Sequence, residues 1–223
     1  SEITLPTGID KDGRDRTAVC CLSSLNLEKY DEWKDDKNML NDVMRFLDNV
    51  LSDFINKAPE QFSDATYAAE RERSVGLGVM GFHSYLQKNN IPLESVMSKV
   101  WNKKIFKNIQ EGVDQASKDL ADERGACPDA ADYGFNERFS NKTAIAPTAS
   151  ISVICGGASP GVEPVAANSY THKTLSGSFN VRNRYLVKVL EKYGKNTDDI
   201  WSGITNNQGS VSHLDFLSDI EKD

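Results

Sequence analysis

The chain has 223 residues, of which 39% are apolar, enough for one domain or part of a larger one to bury a core. A net charge of -7 and an isoelectric point near 5.1 offer no broad positive field for a nucleic-acid polymer, so an anionic nucleotide would need a local site. No apolar run reaches the roughly 18 residues that span a bilayer, and the opening SEITLPTG carries no leader signature, which makes the cytoplasm the default compartment.

Residues 17–22 form a short apolar run expected to be a strand. From 39 to 55, Leu40, Val43, Met44, Leu47, Val50, Leu51 and Phe54 recur at the spacing of an amphipathic helix. A shorter helix is expected over 76–87. A second long one over 100–120 runs through Ile105, Ile109, Val113 and Ala116 and stops near Gly125. Residues 143–146 and 151–155 again read as short apolar strands. Short buried strands separated by long helices indicate an α/β architecture with a largely parallel sheet, open or closed. No repeat or flexible linker divides the chain, so residues 1–223 are read as a single, partial domain.

Gly76-Leu77-Gly78-Val79-Met80-Gly81 matches the dinucleotide fingerprint. Glu70-Arg71-Glu72-Arg73-Ser74 before it is polar and helix-like, where that fingerprint needs a buried strand. Close helix packing over small residues is the expected role. Ala146-Pro147-Thr148-Ala149-Ser150-Ile151-Ser152 places three hydroxyls within five residues behind an apolar run. Such a turn can cradle a phosphate through its amides; taken alone, it is more often a capped strand-turn. The dense turn residues from Gly156 to Pro164 favour the ligand site, because they are too elaborate for a plain connection.

Cys20, Cys21, Cys127 and Cys155 form no CxxC pair, so cysteine chemistry is expected to be catalytic rather than structural. Cys20 and Cys21 are adjacent in an extended run, so at most one faces a given cavity. On their own, all four read as small buried hydrophobes. Glu2 lies beside apolar residues that would raise its pKa, as a proton-transfer group requires; alone it reads as a terminal surface glutamate. His83, His172 and His213 lack ligand spacing, and no metal site is expected. Trp33, Trp101 and Trp201 are read as packing residues.

Taken together, Ser1-Glu2-Ile3-Thr4-Leu5-Pro6-Thr7, the run Ala18 to Leu27, and Ala146 to Ser150 through Gly161-Val162-Glu163-Pro164 resemble the large subunit of ribonucleotide reductase. Gly76 to Val79, Gly125 to Pro128 and Thr171 to Phe179 extend the resemblance, the last string towards class I. The resemblance implies a fold: the C-terminal half of a ten-stranded α/β barrel. It also implies an activity, reduction of ribonucleotides to 2′-deoxyribonucleotides by thiyl chemistry. Ser1 then follows the position of the radical cysteine. Glu2 takes the place of the glutamate that accepts the 3′-hydroxyl proton. Cys20 is one of two cysteines that reduce the substrate, and Cys21 is its non-catalytic neighbour. Ser1, Pro147, Thr148, Ala149, Ser150 and Ile151 bind substrate, with Ile151 contributing only its backbone N–H.

The expected partners are a ribonucleoside diphosphate, the remainder of the large subunit, thioredoxin or glutaredoxin as reductant, and a small subunit that holds the radical-generating metal centre. No cofactor is expected in this chain, and alone it is expected to be inactive. A cobalamin-dependent class II reductase, and a catalytically silent phosphate-binding or assembly fragment, are the alternatives. Ser1 also satisfies the nucleophile rule for the residue downstream of a protein-splicing element, so such an element upstream is one expectation, beside gene fragmentation and deliberate truncation.

Overall fold

The computed structural model describes residues 3, 5–174 and 177–222. A hairpin of β1 (Gly8–Ile9) and β2 (Asp15–Arg16) leads into β3 (Leu22–Asn26) and the short α1 (Tyr30–Trp33). Then come α2 (Met39–Lys57), α3 (Ser63–Glu72), β4 (Gly76–Met80), α4 (Phe82–Lys88), α5 (Val96–Arg124) and α6 (Pro128–Asp132). Downstream lie α7 (Ile151–Ile154), the hairpin of β5 (Ser169–Thr174) and β6 (Gly177–Arg182), α8 (Arg184–Lys192), α9 (Asp198–Asn206) and α10 (Asp219–Lys222).

Both long helices form where their apolar spacing places them. α2 buries Leu40, Met44, Leu47 and Leu51, and α5 buries Ile105, Ile109, Val113, Ala116 and Leu120. Ser95 caps α5 by accepting from the Ser98 N–H, and Gly125 ends it at a φ of +88°. The two stripes join one core with Cys21, just ahead of β3, and with Leu25, Leu77 and Val79 from the strands, so the helices cover one face of the sheet. A second cluster gathers Leu186 and Leu190 of α8, Trp201 and Ile204 of α9, and Val211, Leu214 and Leu217. Trp201 is fully buried there, while Trp33 and Trp101 pack half-buried against the first core. Among the described residues no helix is long and apolar enough to cross a membrane.

The sheet is parallel, as expected of an α/β fold. β3 and β4 pair from Leu22↔Gly76 to Asn26↔Met80, and Leu77 bridges in parallel to Thr143. Four expectations need correcting, the first being the strand over 143–146, of which only the isolated bridge at Thr143 forms. The strand expected at 17–22 begins at Leu22 and continues through Ser23 and Ser24 to Asn26, because it is these residues, not 17–21, that pair with buried β4. The helix expected over 76–87 is a strand followed by a helix that starts at Phe82. The strand expected over 151–155 is the single helical turn α7.

The glycines of β4 explain the third correction. A Cβ on Gly78 would lie 2.1 Å from the Ala144 carbonyl oxygen, and one on Gly76 would lie 2.4 Å from Leu22 Cδ2 and 2.8 Å from Ala144 Cβ. The glycines therefore admit the neighbouring strands rather than a helix or a pyrophosphate. Gly78→Ala should destabilise the protein by about 1–3 kcal/mol, the scale of overpacking. An unchanged denaturant midpoint would show that the strands have room to separate.

One buried ion cluster fixes where the strands enter the sheet. Asp48 on α2 is fully buried and accepts from Arg73 Nε at 2.7 Å, Arg124 Nη1 at 2.8 Å and Arg138 Nε at 2.9 Å. Arg73 closes α3 in the left-handed region, at a φ of +41°, and directs the chain into β4.

Candidate active site

In parallel α/β sheets ligands collect beyond the carboxyl ends of the strands. Here those ends are Asn26, Met80 and the chain that follows Thr143. After Ala146 the backbone turns, and Thr148 adopts a φ of +55°, a steric outlier for a β-branched residue. Two bonds hold it there. Its hydroxyl oxygen accepts from the Gly161 N–H at 2.8 Å, and its carbonyl accepts from the Ser152 N–H at 3.0 Å. Thr148 is buried, whereas Pro147, Ala149, Ser150 and Ile151 are exposed.

The consequence is a closed loop from Thr148 to Gly161 with one open face. Among the described residues the N–H groups of Ala149, Ser150 and Ile151 make no hydrogen bond. Ser150 stands at the N-cap of α7 without a side-chain bond to the helix. Three consecutive unpaired amides beside the exposed Ser150 hydroxyl are donors suited to an anion.

The rest of the loop is fastened to α4. Ser84 and Ser159, both buried, exchange bonds: Ser84 N–H donates to Ser159 Oγ at 3.1 Å, and Ser159 N–H to Ser84 Oγ at 2.9 Å. The Gly81 N–H donates to the Ser159 carbonyl at 2.7 Å. Gly81 has a φ of +79°, and a Cβ there would lie 2.8 Å from Asn26 Oδ1, so the position is reserved for glycine. His83 next to it is buried and accepts from the Val165 N–H through Nδ1 at 3.3 Å; burial pushes its pKa down and keeps the imidazole neutral.

The two adjacent cysteines part as the alternation requires. Cys21 is buried with its sulfur 4.0 Å from the Leu47 carbonyl, and burial pushes its thiol pKa up. Cys20 is exposed. Cys127 is buried, with its pKa also raised by burial, but Cys155 is exposed at the end of α7 and, like Cys20, departs from the reading as a buried hydrophobe. Cys20 lies just before β3, whereas the Cys155 carbonyl accepts from Asn26 Nδ2 at 3.4 Å at the far end of that strand. The two exposed thiols are therefore not neighbours.

Ser1 and Glu2 lie outside the described residues. Ile3 reaches to 3.7 Å from the Cβ position of Gly76, on the sheet face away from α2 and α5. Among the described residues no group of three His, Cys, Asp or Glu side chains is placed to hold a metal ion. A cavity of about 580 Å³ lined by Pro6, Arg16, Asp129, Phe139, Asn141 and Lys142 lies at the amino ends of the strands, away from the turn.

The sequence reading missed Asn26, Gly81 and Ser84 as parts of this site, and took in Ser159 and Gly161 only as members of the turn-rich run. The turn-rich run at 156–164 signalled the loop, but nothing in the sequence pairs Ser84 with Ser159 across 75 residues.

The sequence profile described as ribonucleotide reductase, barrel domain, matches residues 1–138 and 129–223, which together take in the whole chain. The chain belongs to the ribonucleotide reductase barrel-domain family. It is 48% identical, over its full length, to the ribonucleoside-diphosphate reductase large subunit of Invertebrate iridescent virus 6, and 43% identical to that of Invertebrate iridescent virus 3. It spans 23% and 35% of those two relatives. Among solved structures, the class Id ribonucleotide reductase alpha subunit of Actinobacillus ureae superposes with a TM-score of 0.82 at 42% identity, over 91% of this chain and 37% of that one. For this reductase segment, the α/β architecture with parallel strands thus agrees with a solved relative.

Proposed function

We propose that this chain supplies the substrate phosphate turn and one reducing thiol of a class I ribonucleoside-diphosphate reductase large subunit, acting in the cytoplasm. The observation that carries the reading is the strained turn at Thr148, whose closure leaves the amides of Ala149, Ser150 and Ile151 open beside the exposed Ser150 hydroxyl. Backbone strain held by surrounding bonds points to a functional site. The relatives' names supply the substrate class.

In this reading the β3–β4 sheet is part of a ten-stranded barrel, completed by strands from the remainder of the large subunit. Pro147 redirects the chain so that the diphosphate meets the amides, and Ser1 contributes to substrate binding. A cysteine from another segment, whose thiyl radical a metal centre in a separate small subunit would supply, takes the 3′ hydrogen of the ribose and returns it once the substrate is reduced. Glu2 accepts the 3′-hydroxyl proton. The C2′–oxygen bond breaks and the hydroxyl leaves as water. Cys20 and a second thiol elsewhere in the subunit give up two electrons and two protons and become a disulfide, which thioredoxin or glutaredoxin reduces by exchange. Exposure of Cys20 and burial of Cys21 support the choice of thiol.

The test uses the complete large subunit with its small subunit. Replacing Thr148 and Ser150 together by alanine should weaken ribonucleoside diphosphate binding by about 1–3 kcal/mol, the scale of hydrogen bonds to a charged group. Affinity for the ribonucleoside without phosphates should not move. Equal loss for both ligands, or none for the diphosphate, would take the phosphate away from this turn. Turnover that requires cobalamin rather than the small subunit would replace class I by class II.

A further inference from the structure

The turn at 148–151 is fixed at its Gly161 end by the Thr148 hydroxyl, but its other end leads into α7, which has only four residues. A single helical turn has little stability of its own. α7 also lacks a packed face: Ile151, Val153 and Ile154 are exposed, and only Ser152 is buried. What holds α7 is therefore polar: Ser152 bonds within the loop, through its N–H to the Thr148 carbonyl and its carbonyl to the Ala158 N–H, and two carbonyls just past the helix bond to other elements. The Cys155 carbonyl accepts from Asn26 Nδ2 at 3.4 Å, and the Gly156 carbonyl accepts from Arg184 Nη1 at 2.8 Å.

The Arg184 bond is the shorter, and its donor is itself anchored. The other guanidinium nitrogen binds Glu28 Oε2, while Glu28 Oε1 accepts from the Tyr185 hydroxyl at 2.6 Å. Glu28 follows β3 closely, and its N–H is held by Asn26 Oδ1 at 3.0 Å. Arg184 opens α8, whose Leu186 and Leu190 are buried in the second hydrophobic cluster. One side chain thus ties the carboxyl end of β3, the second cluster and the end of α7 together. Four residues of helix span only about 6 Å, so the anchor at Gly156 lies close to the open amides and limits where they can stand.

We propose that Arg184, oriented by Glu28, is a positioning residue for the substrate diphosphate: it sets where the amides of Ala149, Ser150 and Ile151 stand. The inference rests on the reading of that turn as the phosphate site. Arg184 is well exposed and makes its contribution through geometry, since an exposed ion pair adds little by itself.

Steady-state kinetics of the complete large subunit with its small subunit tests the proposal. Arg184→Ala should raise KM for the ribonucleoside diphosphate roughly tenfold, the loss expected for one charge-assisted hydrogen bond, with kcat nearly unchanged. Glu28→Gln should move KM in the same direction by less, because glutamine still accepts from Tyr185. The double variant should be no worse than Arg184→Ala, and Arg184→Lys should recover part of the loss. Where Arg184→Ala lowers the thermal midpoint of the subunit, Glu28→Gln carries the same test. If wild-type binding depends on Thr148 and Ser150 but KM ignores both substitutions, or kcat falls in place of a rise in KM, Arg184 has no positioning role. If wild-type binding does not depend on Thr148 and Ser150, the phosphate reading fails first, and the two failures are told apart.

Discussion

Cys20→Ser should abolish multiple turnover in the complete reductase, whereas Cys21→Ser should leave most of it. In the role proposed for Cys20, a serine hydroxyl in place of the thiol cannot form the disulfide, so no electrons would reach the ribose from that position and the reductant would have nothing to regenerate. The structure separates the two adjacent thiols by environment. Cys20 is exposed, while Cys21 is packed behind the sheet against α2, with its thiol pKa raised by burial and its sulfur near the Leu47 carbonyl. A buried thiol held protonated is a poor partner in exchange. The measurement is 2′-deoxyribonucleotide formed per subunit with and without the external reductant. Loss of activity in Cys21→Ser equal to that in Cys20→Ser would mean that the wrong thiol has been assigned.

How far the sequence disclosed this arrangement depended on the kind of interaction. Helices α2 and α5 were legible because their apolar residues repeat at helical spacing and face one core. β4 was not, because Gly76 and Gly78 weaken strand propensity, and their use appears only once Leu22 and Ala144 approach from either side. α7 was misread because Ile151, Val153 and Ile154 favour a strand, and the bond from Ser152 N–H to the Thr148 carbonyl overrides that preference. The turn at Thr148 was foreseen as a run of hydroxyls and amides. Its closure by Gly161 was not, since the two residues stand 13 apart in the chain with α7 between them. The pairing of Glu28 with Arg184, 156 residues apart, leaves no local trace at all.

The same holds for the feature expected to matter most for stability. Asp48 sits in the middle of an amphipathic helix, on the side where an apolar residue belongs, and only the fold brings Arg73, Arg124 and Arg138 to it. Burial alone would raise its pKa. The bonds from Arg138 and Arg124 and the charge of Arg73 outweigh that, and hold the carboxyl below its ordinary value. Asp48→Ala leaves the guanidiniums of Arg73 and Arg138 largely buried without a counter-charge, and should cost about 3–5 kcal/mol. That is a large share of the roughly 5–15 kcal/mol by which proteins are stable, so much of the variant should be recovered unfolded or aggregated. Asp48→Asn keeps the shape but removes the charge and turns an N–H toward a guanidinium, so it should also be destabilised. Because the native carboxyl is depressed, its contribution is complete above the unfolded value of about 3.9 and disappears as pH falls through the native one. The gap in denaturant midpoint between wild type and Asp48→Asn should therefore persist from neutral pH to about pH 5, and narrow only below the ordinary carboxylate range. Equal midpoints at neutral pH would show that water or rearranged carbonyls satisfy the three arginines without Asp48, and that the entry of β4 into the sheet is fixed by packing alone.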